Sequence, residues 1–556
     1  MAAKRRRIFG YFLLFLIAAS GAFFAWFFLT RTPERHIFGF VPTDAVYILE
    51  SKEPVTNWRE FSGSKIWKFL RKNPVMKEYD LEADSLDQLL QRNEGLMKLV
   101  GNRTLLISAH LQAGNPDGWD FLYLFDLEKG AKVSVFKDVV FDVLQKTGSA
   151  YETYNKNGFE LFVIRDPQDG DLFLSFVDNI LIISYTEALV IRSREQGKQA
   201  GLNLDHKFLR IEQQTGSEGE FRLFLNYSML DDYLALYLDS VGPSLGDLSR
   251  SLKFSGLDIQ MEEDFASFSG FTNILDSIHS MTGIMLLVEG SDISGDAILP
   301  PETSFFIRLG FSDFSKLYDK IWENFEYDEK SWKEAKADTA MISDKLKVNF
   351  KHDLTSWIGN EMIMGMLPLE GGKKQAYFGV FQTNNRNDAE KKLDFVTRQL
   401  SKKAKIIKVR ISNYKGYEIR YIDIKGFFKI FFGGLWNKYE KPHYFLMKDY
   451  VIFSNDTSAL HRFIDAEDAG ESLAEDETYR QLRSKFDRES NFFGYINNRA
   501  IYAWLQEKGD PGMKETLTIH QNTIQAFGPI GFQLNQEREM YQTDFRVLFR
   551  PPNPQP

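Results

Sequence analysis

The chain repeats itself, and this constrains its fold more than any single motif, because a duplicated sequence must build the same unit twice. Four pairs of segments recur in the same order along the 556 residues. Pro42–Leu49 (PTDAVYIL), followed by Lys65-Ile66-Trp67, pairs with Pro301–Arg308 (PETSFFIR), followed by Lys320-Ile321-Trp322. Tyr154–Leu161 (YNKNGFEL) pairs with Tyr414–Ile419 (YKGYEI), a Gly-aromatic-Glu-aliphatic pattern that reads as a hairpin turn entering a strand. Each is followed by an apolar strand and Thr-x-Ala-Leu, at Thr186–Leu189 and Thr457–Leu460. The threonine hydroxyls are expected to cap the helices that begin there.

The third pair keeps its spacing. Phe208-x-x-Ile211 begins 13 residues before Phe221, as Tyr479-x-x-Leu482 begins 13 before Phe492. FRLFLN (Phe221–Asn226) then matches FFGYIN (Phe492–Asn497), and apolar residues follow each asparagine at +4, +7 and +8, one helical face. Asn226 and Asn497 are therefore read as helix caps rather than ligand-binding groups. Finally Leu257–Met261 matches Ile530–Leu534, each with an acidic turn and a further alternating strand, Phe265–Phe271 and Met540–Phe549. The reading is a tandem duplication of a mostly antiparallel α+β domain over residues 42–273 and 301–549, joined by a turn-rich linker at 274–300 and ending in a disordered tail at 550–556. In the first half, strands are expected at Ala45–Glu50, Thr104–His110, Phe121–Leu127 and Phe159–Arg165, and a hairpin of strands over Leu172–Tyr185. Helices are expected at Trp58–Leu70, Ser85–Gln91, Val133–Gln145 and Ala188–Glu195.

Upstream, Ile8–Leu29 is a run of 22 residues without a charge, long enough at about 1.5 Å per residue to span a bilayer core of about 30 Å. Residues 1–7 contain Lys4, Arg5, Arg6 and Arg7, which orient the N-terminus to the cytoplasm and the remainder outside it. Ala18–Ala22 has the small residues of a signal-peptide cleavage site. The apolar run resumes beyond it through Phe23, Phe24 and Trp26–Leu29, longer than the about 7–15 residues of a signal core, so an uncleaved anchor is expected. Ala18, Gly21, Ala22 and Ala25 line one face of that helix and offer a homodimer contact, although small residues are ordinary in membrane helices.

Val-Pro-x-Asp-Ala at Val41–Ala45, tryptophans in the first expected helix (Trp58, Trp67), the repeated hairpin, the basic N-terminus and the single anchor together resemble an uncharacterised domain-of-unknown-function family of bacterial single-pass, membrane-anchored envelope proteins. The resemblance spans most of the chain. It implies the topology and carries neither an activity nor catalytic residues.

Composition narrows the chemistry. The formal net charge is −9 although four positive charges sit in the first seven residues, which excludes a general nucleic-acid binder. Cysteine is absent, so disulfides, thiolate metal sites and cysteine nucleophiles are excluded. The eight histidines are single and in no metal-ligand spacing. Ser62-Gly63-Ser64-Lys65 fits Ser-x-x-Lys and Lys146-Thr147-Gly148 fits Lys-Thr-Gly, fragments of the serine acyl-transferase pattern, but Ser-Asp-Asn is missing. Asp166–Asp171 (DPQDGD) lacks the ligand alternation and closing glutamate of a calcium loop, so it is read as a turn. Three Asn-x-Ser/Thr sequons, at Asn102, Asn226 and Asn455, matter only in a eukaryotic secretory pathway. The 49 phenylalanines fit an aromatic core or, alternatively, a groove for an acyl chain or extended peptide.

No catalytic residue, cofactor or metal ligand is assigned. The expected function is that of an extracytoplasmic (periplasmic) envelope protein, a non-enzymatic binding or scaffold protein that engages a protein or envelope polymer. The alternatives are a carrier or sensor of a hydrophobic ligand such as a lipid and, less favoured, an envelope hydrolase.

Overall fold

The computed structural model describes residues 35–73, 103–112, 118–127, 151–165, 170–236, 251–275, 281–325, 349–372, 374–403, 410–421, 442–509 and 511–551, with isolated residues between 333 and 347. The expected membrane helix Ile8–Leu29, with Ala18, Gly21, Ala22 and Ala25, lies outside them, as do the helices expected at Ser85–Gln91 and Val133–Gln145 and the tail beyond Pro551. Among the described residues no helix is long and apolar enough to cross a membrane.

The fold is mixed helix and sheet, dominated by antiparallel strands. The helix expected over Trp58–Leu70 is two, α1 (Pro54–Gly63) and α2 (Lys65–Leu70). Gly63 is a poor helix former, and Ser64 behind it takes an extended backbone and accepts the Trp67 N–H at 3.0 Å, which restarts the helix.

The chain divides into two compact units, Met1–Thr56 with Leu86–Leu209, and Asn57–Ser85 with Arg210–Pro556. This differs from the boundary expected at 274–300. In the first unit seven strands form an antiparallel sheet: β1 (Tyr47–Ser51), β2 (Leu105–Leu111), β3 (Trp119–Asp126), β4 (Tyr151–Lys156), β5 (Phe159–Ile164), β6 (Leu172–Val177) and β7 (Ile180–Ser184). Their spatial order is β1-β2-β3-β7-β6-β5-β4. The β4–β5 hairpin turns on Asn157 and Gly158, at φ 53° and 78°, two successive left-handed residues that match the twist of the strands and that a glycine supplies without strain. Helix α3 (Glu187–Gln196) buries Leu189, Val190 and Ile191. Thr186 occupies its N-cap, but its side chain makes no cap bond and instead reaches Asp120. A further helix, α4 (His206–Gln214), crosses the division between the units.

The second unit holds thirteen strands in one antiparallel run. They are β8 (Phe221–Asn226), β9 (Leu252–Met261), β10 (Phe265–Ile274), β12 (Phe305–Gly310), β13 (Ile358–Leu369), β14 (Lys374–Thr383), β15 (Arg410–Tyr414), β16 (Tyr417–Tyr421), β17 (His443–Met447), β18 (Tyr450–Ser454), β20 (Phe492–Ile496), β21 (Phe527–Glu537) and β22 (Met540–Phe549). Two-residue strands β11 (Ser291–Asp292) and β19 (Glu489–Ser490) pair separately. The spatial order is β8-β9-β10-β22-β21-β20-β12-β13-β14-β18-β17-β16-β15. Strands β10 and β22 run side by side from Phe265 opposite Leu548 to Asn273 opposite Met540. That pairing draws residues 210–273 into the second unit.

Both faces of this sheet are covered, so consecutive residues enter different cores. Helices α5 (Phe314–Phe325) and α6 (Arg386–Lys403) cover one face, where Phe314, Leu317, Leu393 and Val396 pack with Met362, Phe381, Val451, Phe453 and Phe492. Helices α7 (Thr457–Ala469) and α8 (Glu477–Arg483) cover the other, where Leu460, Phe463 and Leu482 pack with Phe306, Ile363, Phe378, Ile452 and Phe493. Helix α7 is capped by Asp456, which accepts the Ser458 N–H at 2.9 Å, and not by the expected Thr457. Beyond β20 follow α9 (Asn498–Lys508), α10 (Pro511–Ile519) and α11 (Gln521–Ala526). The stretch read as a turn-rich linker contributes Met285 and Leu299, both with no exposure, to these cores.

Arg308, on β12, has no solvent exposure. Its Nε donates to Glu361 Oε1 at 2.9 Å, Nη1 to Ser490 O at 2.7 Å and Ser490 Oγ at 3.2 Å, and Nη2 to Ser291 Oγ at 2.5 Å and Asp292 O at 2.6 Å. Arg308→Met strands the Glu361 carboxylate in the core and is expected to cost about 3–5 kcal/mol in urea unfolding, whereas Arg308→Met with Glu361→Leu recovers most of the loss. A single substitution as well tolerated as the double would show that the pair carries no weight.

Candidate functional site

The residues singled out in the sequence do not converge. Ser62 Oγ donates to Arg59 O at 3.2 Å, while the Lys65 ammonium pairs with Glu263, both side chains largely exposed. Neither faces the other as a nucleophile and base would. Lys146–Gly148 lies outside the described residues, as do residues 166–169 of the Asp166–Asp171 turn, and Asp171 pairs with Arg165. Among the described residues no three His, Asp or Glu side chains are grouped to hold a metal ion. Asn226 Oδ1 accepts the Ser228 N–H at 3.3 Å and Asn497 Oδ1 the Ala500 N–H at 3.3 Å, so both act as caps. Of the histidines, His36, His206 and His352 are exposed, His461 stacks on Tyr414 at 3.8 Å, and His279 is outside the described residues.

The first unit assembles one constellation that no sequence pattern announces. Ser108 and His110 on β2 point to one face, since they are two residues apart. Ser108 Oγ lies 2.9 Å from His110 Nε2, and His110 Nδ1 lies 3.3 Å from Asp44 Oδ1. The connectivity is that of a Ser-His-Asp triad, but the exposure is reversed. Ser108 and His110 have no solvent exposure, while the Asp44 side chain is 39% exposed. A nucleophile must meet substrate, and here it is the innermost member. The cluster is a buried polar staple: it holds the loop before β1 to β2, assisted by the Arg192 guanidinium on Asp44.

Burial holds His110 below the ordinary imidazole range despite its Asp44 contact. Burial raises the Asp44 carboxyl, but the His110 hydrogen bond and the Arg192 charge outweigh it and bring the pKa down to about 2. The unfolded chain therefore takes up a proton at position 110 near pH 6.5 while the folded chain does not, so stability falls as pH falls below that value. Asp44 adds to the loss only below about pH 4. Thermal unfolding between pH 7.5 and 5 should show this decline, with a slope of up to about 1.4 kcal/mol per pH unit from this group. His110→Gln should flatten it, leaving a residue from His443, which burial also depresses. A decline unchanged in His110→Gln would remove His110 as its source.

The second unit carries an open cavity of about 600 Å³ between the start of α5, a π-helical turn at Phe350–Thr355 and the start of β13. Helix α5 places Phe314, Leu317 and Tyr318 in the core, leaving Ser315 outward. Asp313 caps it: Oδ1 accepts the N–H groups of Ser315 at 2.8 Å and Lys316 at 3.3 Å. Across the cavity Asn349 caps the π-helical turn, accepting the His352 N–H at 2.9 Å, while its own N–H donates to Asp353 Oδ2 at 2.7 Å. Lys351 Nζ donates to both oxygens of Asp319 at 2.7 and 2.8 Å, and His352 Nδ1 lies 2.8 Å from Asp353 Oδ1. Asn384 closes the rim, its Nδ2 on Ile358 O at 3.3 Å. A Cβ at Gly359 would lie 1.6 Å from Gln382 Oε1, so a side chain there would displace the Gln382 carboxamide. Among the described residues no serine hydroxyl meets His352 Nε2 as a nucleophile would meet its base.

No curated protein matches the chain. Among solved structures, crystal form IV of TP0453 is 10% identical, with a TM-score of 0.24 over 43% of this chain and 81% of that one. Crystal form I of TP0453 is 8% identical, with a TM-score of 0.19 over 78% of this chain and 98% of that one. These likenesses are too slight to bear on fold or function. Residues 329–537 match the model of a family described as a protein of unknown function, DUF3352.

Proposed function

We propose that the protein is anchored in a membrane by its N-terminal helix, with its bulk in the extracytoplasmic envelope, and that it binds an envelope partner without converting it. The observation that carries the binding reading is the open, polar cavity beside α5, together with the inward orientation of Ser108 and His110. The location rests on Lys4–Arg7 ahead of the uncharged run Ile8–Leu29. A hydrophobic-ligand carrier draws less support, because Phe306, Phe378, Phe381, Phe453, Phe463 and Phe493 are all within 1% of full burial in cores. A reporter enzyme fused after Pro556 should be active only outside the cytoplasm, in protein that stays with membranes after alkaline extraction. Cytoplasmic activity, or release as a soluble species beginning near Ala22, would overturn the anchored reading.

We also infer that residues 42–273 and 301–549 are two copies of one fold. The strand order β1-β2-β3-β7-β6-β5-β4 of the first unit recurs as β12-β13-β14-β18-β17-β16-β15 in the second, and β8-β9-β10 recurs as β20-β21-β22. Lys415 and Gly416 repeat the left-handed pair of Asn157 and Gly158, at φ 47° and 87°. Ser184 Oγ donates to Phe121 O at 2.7 Å and accepts the Thr186 N–H at 3.1 Å; Ser454 Oγ donates to Tyr377 O at 2.7 Å and accepts the Asp456 N–H at 3.0 Å. Asp205 accepts the Phe208 N–H at 3.2 Å as Asp476 accepts that of Tyr479 at 2.7 Å. The best correspondence at the start of each half runs one residue from the sequence pairing: Pro42 O accepts the Ala45 N–H and Pro300 O that of Thr303, both at 3.0 Å. Ser184→Ala and Ser454→Ala should each lose about 1–3 kcal/mol of local stability, read by hydrogen exchange at the Thr186 and Asp456 amides. Loss at one site alone would speak against equivalent positions.

A further inference from the structure

We infer that the α5 cavity takes an uncharged, hydroxyl-rich ligand, a neutral oligosaccharide segment of an envelope glycan. This rests on the binding reading above and names its ligand class. Three features of the lining lead there.

The first is that the basic side chains of the lining are already paired. Lys351 holds both oxygens of Asp319, at 2.7 and 2.8 Å, and His352 faces Asp353 at 2.8 Å. An anionic ligand would have to break one of these pairs to gain a cationic partner. The second concerns the N-terminus of α5, which would otherwise attract an anion. Asp313 Oδ1 already accepts the N–H groups of Ser315 and Lys316 there, at 2.8 and 3.3 Å, and adds its own negative charge. A phosphate or carboxylate is thereby repelled from the place that usually binds one.

The third feature is what remains available. Among the described residues the hydroxyls of Ser312 and Ser315, the Asn349 amide NH2 and the Asn384 carbonyl oxygen have no partner, and all four side chains line the cavity. Hydroxyls and carboxamides both donate and accept, as sugar hydroxyls and acetamido groups do. A volume of about 600 Å³ falls mid-range among small-molecule sites, which run to roughly 300–1,000 Å³.

The test uses the full chain in detergent micelles and isothermal titration with N,N′,N″-triacetylchitotriose, with inorganic phosphate as the anionic probe. Saturable binding of the saccharide is expected, unchanged between low and high salt, and not displaced by phosphate. Ser315 and Asn384 are exposed, so Ser315→Leu and Asn384→Leu should leave the melting temperature in place while weakening binding about tenfold or more each. Absence of saturable saccharide binding, displacement by phosphate, or full affinity in both variants would overturn the inference. A photo-reactive side chain placed at Asn384 in intact cells separates the two levels. Capture of glycan supports the inference, and capture of a protein overturns it while leaving the binding reading intact. Capture of nothing, with no saccharide bound, overturns both.

Discussion

A guanidinium inside a sheet is tolerated only where every N–H finds an acceptor, since an unmet buried charge costs several kcal/mol. Arg308 meets that condition through residues from three separate segments: Ser291 and Asp292, Glu361, and Ser490. The pair Arg308–Glu361 sits where β12 and β13 lie side by side, and Glu361 in turn accepts the Ser294 hydroxyl at 2.8 Å. The stretch between β10 and β12 is thus pinned to the sheet through Ser291, Asp292 and Ser294. With that stretch fixed, Met285 and Leu299 reach opposite cores. Burial on both faces then explains why the chain is so rich in phenylalanine: strands such as Tyr450–Ser454 have no solvent side on which to place polar residues.

How much of this was legible in the sequence depends on whether the signal was local. Strands with a buried face announced themselves, and β2, β3, β5, β7, β9, β10 and β22 fall within a few residues of expectation. Strand β4, Tyr151–Lys156, did not, because it pairs on one side only with β5 and buries none of its residues fully, so it carries no apolar alternation. The break at Ser64 was missed because the apolar positions on either side continue one another, and a single serine cap outweighed that continuity. The threonine caps were misread because other contacts won: the Thr186 hydroxyl is drawn to Asp120, and at the second helix Asp456, one residue earlier, accepts the Ser458 N–H. The polar clusters were invisible for a different reason. Asp44 and His110 are 66 positions apart, and the cavity draws on three segments around Ser312, His352 and Asn384. Neither has a spacing that a motif could record.

On the duplicated reading, comparing the halves separates what holds the fold from what each half does with it. The serine bonds at Ser184 and Ser454 are the same to within 0.1 Å, and the ion pair Asp44–Arg192 has its counterpart in Glu302–Arg462. The ion pairs fasten the loop before β1 to α3 and the turn before β12 to α7, while the serine bonds tie β7 to β3 and β18 to β14. The register that aligns Tyr47 opposite Ala109 with Phe305 opposite Met366 sets Ser108 against Gly365 and His110 against Leu367. The same register sets Glu50 against Arg308, both buried. The interior charges are therefore not part of the shared frame: one half keeps an imidazole and a hydroxyl where the other has a glycine and a leucine, and the other keeps an arginine where the first has a glutamate. A catalytic role for Ser108 and His110 would require a site that arose in one copy and was then sealed by its own core. A packing role requires only that each copy filled the same interior with a different satisfied set, which is the lesser demand on the chain and the one that zero exposure of both side chains fits.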